Sequence, residues 1–116
     1  MISFRNVSKI YYSSVNSCPI TALKDVSFVV QPKEFISIVG RSGAGKTTLI
    51  KLLIGEEKIT AGEIFFKSKN IARIKSNELQ KIRKKIGVVY QDYRLLFSKT
   101  VYENVSYILE VMGFSD

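Results

Sequence analysis

The sequence predicts an α/β fold: an antiparallel β layer followed by part of a parallel α/β core. Three observations carry this. Residues 40–47 read Gly-Arg-Ser-Gly-Ala-Gly-Lys-Thr, an octet of the form G-x-x-x-x-G-K-[ST], which belongs between a buried strand and a helix. A short apolar, mostly β-branched run at 35–39 precedes it and an apolar stretch at 48–54 follows, as a buried parallel strand and a sheet-packed helix require. Further upstream, two alternating stretches separated by a short polar loop read as an antiparallel pair.

Taken in order, residues 2–11 form the first strand, with Ile2 and Phe4 alternating against polar neighbours. Residues 12–19 are rich in Ser and Asn and make a loop. Residues 23–30 alternate again through Leu23, Val26 and Phe28, and Gln31-Pro32-Lys33-Glu34 turns into the run at 35–39. A helix starts at Lys46 and Gly55 can close it. Thr60-Ala61-Gly62 is a turn, Glu63-Ile64-Phe65-Phe66 a short strand and 67–70 another turn. The next helix runs from about Asn77, which can cap it while Gln80 reaches back. Gly87-Val88-Val89-Tyr90 is continuous and apolar, as a parallel core strand should be. Thr100-Val101-Tyr102-Glu103 is a capping box, and Val101, Val105, Ile108 and Met112 share one helical face that Gly113 ends.

At 116 residues the chain holds one domain at most. Its formal net charge is +8, a balance that suits nucleic acid, anionic membrane surfaces or nucleotide phosphates. Part of that charge is the cluster Lys81, Arg83, Lys84 and Lys85, which reads as a solvated helix face. No aromatics interleave with it to stack bases, so nucleic acid is not expected as a partner. The single cysteine, Cys18, permits no internal disulfide and suits a reducing compartment. With no histidine to activate it, Cys18 is not expected to be a nucleophile. No run approaches the roughly 20 apolar residues that span a bilayer, and the N-terminus lacks a signal-peptide pattern. Any membrane role is therefore expected to run through a partner.

The octet has a chemical reading of its own. Glycines let the backbone curl so that successive N–H groups point at one anion. A helix starting at Lys46 adds the positive end of its dipole. The Lys46 ammonium reaches the terminal phosphates of a nucleotide, and the Thr47 hydroxyl can ligate Mg²⁺.

The order of motifs resembles the nucleotide-binding domain of ABC ATPases, a P-loop NTPase fold. The residues that carry the resemblance are Val7-Ser8-Lys9-Ile10-Tyr11, then Ala22-Leu23-Lys24-Asp25-Val26-Ser27-Phe28, then the octet, then Gly62-Glu63-Ile64 and Gly87-Val88-Val89-Tyr90-Gln91. They cover essentially the whole chain. Gly55-Glu56-Glu57, Ile64-Phe65-Phe66, Gln91-Asp92-Tyr93-Arg94-Leu95-Leu96 and Thr100-Val101-Tyr102-Glu103-Asn104-Val105 are similar to the cell-division branch of that family. Phe97 departs from it, standing where that branch usually has proline.

The resemblance implies ATP and Mg²⁺ as cofactors and gives each residue a role. Tyr11 would stack on adenine, with Tyr12 as the alternative. Gly40, Arg41, Ser42, Gly43, Ala44, Gly45, Lys46, Thr47 and Thr48 would form the phosphate site; Arg41 is a variable position there, and Thr48 adds a hydroxyl on the α-phosphate side. Gln91 would be the Q-loop glutamine, near Mg²⁺ and the attacking water, sensing the γ-phosphate; Mg²⁺ would be shared by Thr47 and Gln91. Asp92 is a loop residue with no catalytic role. A β subdomain and Walker A core would extend to about residue 90, and 91–116 would open the helical subdomain.

The same resemblance implies two copies sandwiching two ATP molecules, an integral-membrane permease partner, and a cytoplasmic protein peripheral to the inner face of the plasma membrane. The family's Leu-Ser-Gly-Gly-Gln signature, its Walker B Asp-Glu and its switch histidine have no counterpart in these residues, and the family domain is roughly twice as long. The chain is therefore expected to be the N-terminal portion of such a domain, truncated, binding ATP without turning it over alone. Residues 35–39 and 87–90 are expected not to be adjacent and to leave apolar edges open. Two further readings fit the residues: the ATPase of a lipoprotein or macrolide exporter, and a non-catalytic nucleotide-binding module.

Overall fold

Alternation over the first thirty residues produces a long antiparallel pair. The computed structural model describes residues 1–12 and 18–114. In it β1 (Ile2–Tyr11) pairs with β2 (Ile20–Val30), Ile2 opposite Val30 and Tyr11 opposite Ile20. β2 begins three residues before the expected Leu23, and the loop expected at 12–19 falls largely on 13–17, outside the described residues. β3 (Ala61–Phe66) adds to the other edge of β1 with Phe4 opposite Ile64. β4 (Lys69–Asn70), expected as part of a turn, is a two-residue strand on β3. The sheet order is β2-β1-β3-β4, every pairing antiparallel.

Three helices follow the sequence pattern with one shift. α1 (Lys46–Leu53) starts where the octet predicts, and Gly55 N–H closes it on the Leu52 carbonyl. α2 (Ser76–Arg83) starts one residue early: the Lys75 carbonyl accepts from the N–H groups of Glu78 and Leu79. Asn77 therefore lies inside the first turn, where its side chain cannot cap the helix from the N-cap position. α3 (Val101–Met112) has the expected box, with Thr100 Oγ accepting from Glu103 N–H and the Glu103 carboxylate accepting from Thr100 N–H.

The chain forms two compact units, Met1–Arg83 and the residues from Lys84 onward. The core of the first comes from the inward face of the sheet and one side of α1 and α2: Phe4, Val7, Leu23, Leu49, Leu52, Ile64 and Ile82 are buried. Phe4 and Phe28 stack across β1 and β2 at 4.6 Å between ring centroids. Each such aliphatic side chain contributes roughly 1.5–3 kcal/mol when fully buried. In the second unit, Asn104 holds the segment before α3: its amide donates to the carbonyls of Leu96, Lys99 and Thr100 and its oxygen accepts from Leu96 N–H.

The two expected parallel strands are corrected. Residues 35–39 and 87–90 take no regular strand structure and have no place in the sheet. A parallel strand is held by ladder partners along its edges, and neither run pairs with any of the four strands present. What remains is apolar chain in contact with solvent: Phe35 is 92% exposed, Val39 89% and Val89 99%. An open cleft of about 420 Å³ lies between this run and the sheet, lined by Val26, Phe28, Ile36, Ile38, Val39 and Leu49. The face of α3 expected to be apolar is uncovered as well, and none of the helix's described residues is buried.

Candidate phosphate-binding site

The loop at 40–48 hangs between the extended run at 35–39 and α1, and its shape follows from two residues. Gly45 has φ +83°, and a Cβ there would lie 2.4 Å from the Ala22 carbonyl oxygen and 2.8 Å from Leu23 Cδ2. Only glycine lets the loop lie this close to the start of β2. Lys46 folds back over the loop, its Nζ donating to the carbonyls of Gly40 and Arg41 at 2.7 Å each. A lysine ammonium carries three donors, so one remains for an incoming anion.

The helix end supplies the rest. Leu49 N–H makes the first intrahelical bond to the Gly45 carbonyl, and Gly45 offers no side chain as a cap. The N–H groups of Lys46, Thr47 and Thr48 precede that bond and have no partner within the helix. No acidic residue occupies the first turn, so the positive end of the helix dipole is unopposed. Leu49, Leu52 and Leu53 are buried and anchor the opposite face, while Gly40, Arg41, Ser42, Gly43, Ala44 and Thr47 are exposed and Thr48 is half-buried. Donors and positive charge converge on one open loop, which is chemistry for a phosphate. Among the described residues no three His, Cys, Asp or Glu side chains cluster to hold a metal. A divalent ion there would depend on the Thr47 hydroxyl and the oxygens of the anion itself.

Tyr11 stands at the end of β1, half-buried, opposite Ile20. Ile20 is two residues from Ala22, which abuts Gly45, so the ring is anchored about 7 Å along the strand from the loop contact. Tyr12 is exposed. Gln91 belongs to the second unit, exposed, at the start of a turn closed by Tyr93 N–H on the Tyr90 carbonyl. In that turn Asp92 faces Arg94 at 3.8 Å, and the Arg94 guanidinium lies 3.8 Å from the Tyr90 ring centroid.

Residues 23–115 match the family model described as ABC transporter. The chain belongs to the ABC transporter family. It is 46% identical over 113 residues to the cell division ATP-binding protein FtsE of Bacillus subtilis, covering 97% of this chain and 47% of that protein. With FtsE of Escherichia coli it shares 43% over 115 residues, covering 99% and 50%. With the methionine import ATP-binding protein MetN of Geobacillus kaustophilus it shares 42%, covering 97% and 32%. Among solved structures it is similar to a dimeric ATP-binding cassette in a post-hydrolysis state bound to ADP and Pi, with a TM-score of 0.89 at 34% identity, over all of this chain and 49% of that one. The chain thus spans about half the length of its FtsE relatives and about a third of MetN. No helix of the described residues is long and apolar enough to cross a membrane.

This ABC chain also uses residues that sequence reasoning left aside. Arg83, read as part of a solvated basic face, donates from Nε to the Ile54 carbonyl at 2.7 Å and from Nη2 to the Gly55 carbonyl at 3.0 Å. It thereby caps the far end of the helix that opens at the octet. Lys9 lies against the Tyr11 ring and is held by the Glu57 carboxylate and the Lys58 carbonyl. The one available signal for Lys9 was its place two residues before Tyr11, which puts both side chains on one face of the strand.

Proposed function

We propose that this chain holds the triphosphate of ATP at 40–48, as the nucleotide-binding portion of an ABC-type ATP-binding subunit. The observation that carries the reading is the uncapped start of α1, with Lys46 folded over the loop and no acidic side chain in the first turn. The loop N–H groups and those opening α1 bind the phosphates, Lys46 directs its remaining donor to a phosphate oxygen, and Thr48 adds a hydroxyl. Tyr11 takes the base, a stacking contact worth about 1–3 kcal/mol. Thr47 would hold Mg²⁺ through its hydroxyl when the ion binds with the nucleotide, and the ion would supply neutralising charge at the phosphate oxygens.

In the longer protein we assign an FtsE-like role in cell division: two copies enclose two ATP molecules, and binding and hydrolysis drive an FtsX-like integral-membrane permease from the cytoplasmic face. The 43% and 46% identities to FtsE proteins and the likeness to a dimeric cassette support this. We further propose that the 116 residues bind ATP without turning it over, because hydrolysis needs a positioned base and the family's Walker B Asp-Glu has no counterpart in these residues. A second reading, an import cassette, draws on the 42% identity to MetN. Co-purification separates the two: a four-span FtsX-like permease supports the first, an importer permease the second. For the site itself, titration calorimetry with Mg-ATP is expected to show binding that Lys46→Ala weakens about 10- to 100-fold, the loss of a charge-assisted hydrogen bond. Unchanged affinity in Lys46→Ala would refute the phosphate assignment.

A further inference from the structure

Lys9 is held on three sides. Its Nζ lies 3.0 Å from Glu57 Oε2, donates to the Lys58 carbonyl at 2.8 Å and sits 4.6 Å from the centroid of the Tyr11 ring. Its side chain is only 12% exposed. Glu57 and Lys58 lie in the turn that leaves α1, and that turn is stitched to the end of β1. Thr60 N–H donates to the Ser8 carbonyl and Ile10 N–H donates to Thr60 Oγ1, each at 2.9 Å. The cation is thus fixed by the segment beyond the helix, and the ring rests on the cation.

A tyrosine at a strand end is a poor stacking platform while its ring is free to turn, because ordering it costs part of the binding energy. An ammonium against one face holds the ring by its quadrupole and leaves the other face for a planar base. We propose that Lys9, clamped by Glu57 and the Lys58 carbonyl, is a positioning residue that fixes Tyr11 as the platform for a nucleobase. The inference rests on the reading of 40–48 as the ATP site. α1 then serves both ends of the nucleotide: its first turn faces the phosphates, and the turn beyond its last residue holds the cation beneath the ring.

The test compares Mg-ATP with inorganic tripolyphosphate, which has no base, by calorimetry on the intact protein. Lys9→Gln is expected to weaken ATP about 3- to 10-fold, the scale of a cation–π contact, and to leave tripolyphosphate unchanged. Lys9→Arg, which keeps the charge, is expected to restore most of the ATP affinity, and Glu57→Gln to fall between the two. Tyr11→Ala is expected to weaken ATP further and to erase the effect of Lys9→Gln in the double variant. The proposal is overturned if Lys9→Gln binds ATP like the parent, if it weakens ATP and tripolyphosphate equally, or if Tyr11→Ala leaves ATP affinity unchanged. Should Lys9→Gln fail to fold, Glu57→Gln carries the same comparison. Failure of the underlying ATP assignment is distinct: the parent then binds neither compound.

Discussion

Arg83→Met asks whether the helix behind the loop at 40–48 is held by a specific contact or by general packing. The guanidinium makes two hydrogen bonds, 2.7 and 3.0 Å, to the carbonyls of Ile54 and Gly55, in a partly buried setting. These carbonyls end α1, where a cation also meets the negative end of the dipole. Hydrogen bonds involving a charged group contribute about 1.5–3 kcal/mol each. Water can reach part of this site and replace some of that, and methionine keeps the apolar stem. The expected loss is therefore about 2–3 kcal/mol, at or below the low end of the roughly 3–6 kcal/mol that two such bonds contribute. Lys84→Met, one residue on and exposed, should stay within about 0.5 kcal/mol. Arg83→Lys retains the charge without the fork and should lose about half as much as methionine. Urea denaturation of the intact protein reads all three: with a slope of about 2 kcal/mol per molar, Arg83→Met lowers the midpoint by about 1–1.5 M. Equal midpoints for Arg83→Met and Lys84→Met would refute the argument and return Arg83 to a solvated basic face.

Two other outcomes follow from single positions. Gly45→Ala forces a side chain into a left-handed backbone and toward the Ala22 carbonyl 2.4 Å away, costing about 2–5 kcal/mol from both terms. Gly43 shares the positive φ but has open space around it, so Gly43→Ala should cost only about 1–2 kcal/mol; equal urea midpoints for the two would refute the close-approach argument. The Glu103 carboxyl is lowered to about 2 by hydrogen bonds from Thr100 backbone and side chain, then from Lys99. A lowered carboxylate adds stability that is fully present above the ordinary glutamate range near pH 4.3 and lost as pH falls toward 2. An NMR titration of the Glu103 side chain should show that midpoint, and Thr100→Ala should move it up; an ordinary midpoint in the parent would show that the box does not form.

Legibility in the sequence follows the range of the interaction. The Thr100–Glu103 box and the opening of α1 at Lys46 involve residues within one helical turn, and both stand where the pattern put them. The alternation of β1 and β2 is local too, although β2 reaches back to Ile20. The start of α2 was misread because Asn77 has capping chemistry, yet the Lys75 carbonyl accepts the first bonds. Residues 35–39 and 87–90 have strand composition without ladder partners, and composition alone does not make a strand. Within the site, the octet was readable as a unit. Arg83 was hidden because its acceptors lie 28 and 29 residues away.

The octet at 40–47, the glycine that bends it, the helix that opens behind it and the box that opens α3 are all legible along the chain. Each is encoded by residues that stay neighbours however the rest of the chain folds. Folding in three dimensions adds that Gly45 presses on Ala22, that Lys9 sits between Glu57 and Tyr11, and that Arg83 caps the helix begun at Lys46. Those contacts join segments roughly 20 to 50 residues apart. They exist because the sheet and α1 bury a common core, and no periodicity along the chain records which exposed charge that packing will bring beneath which ring.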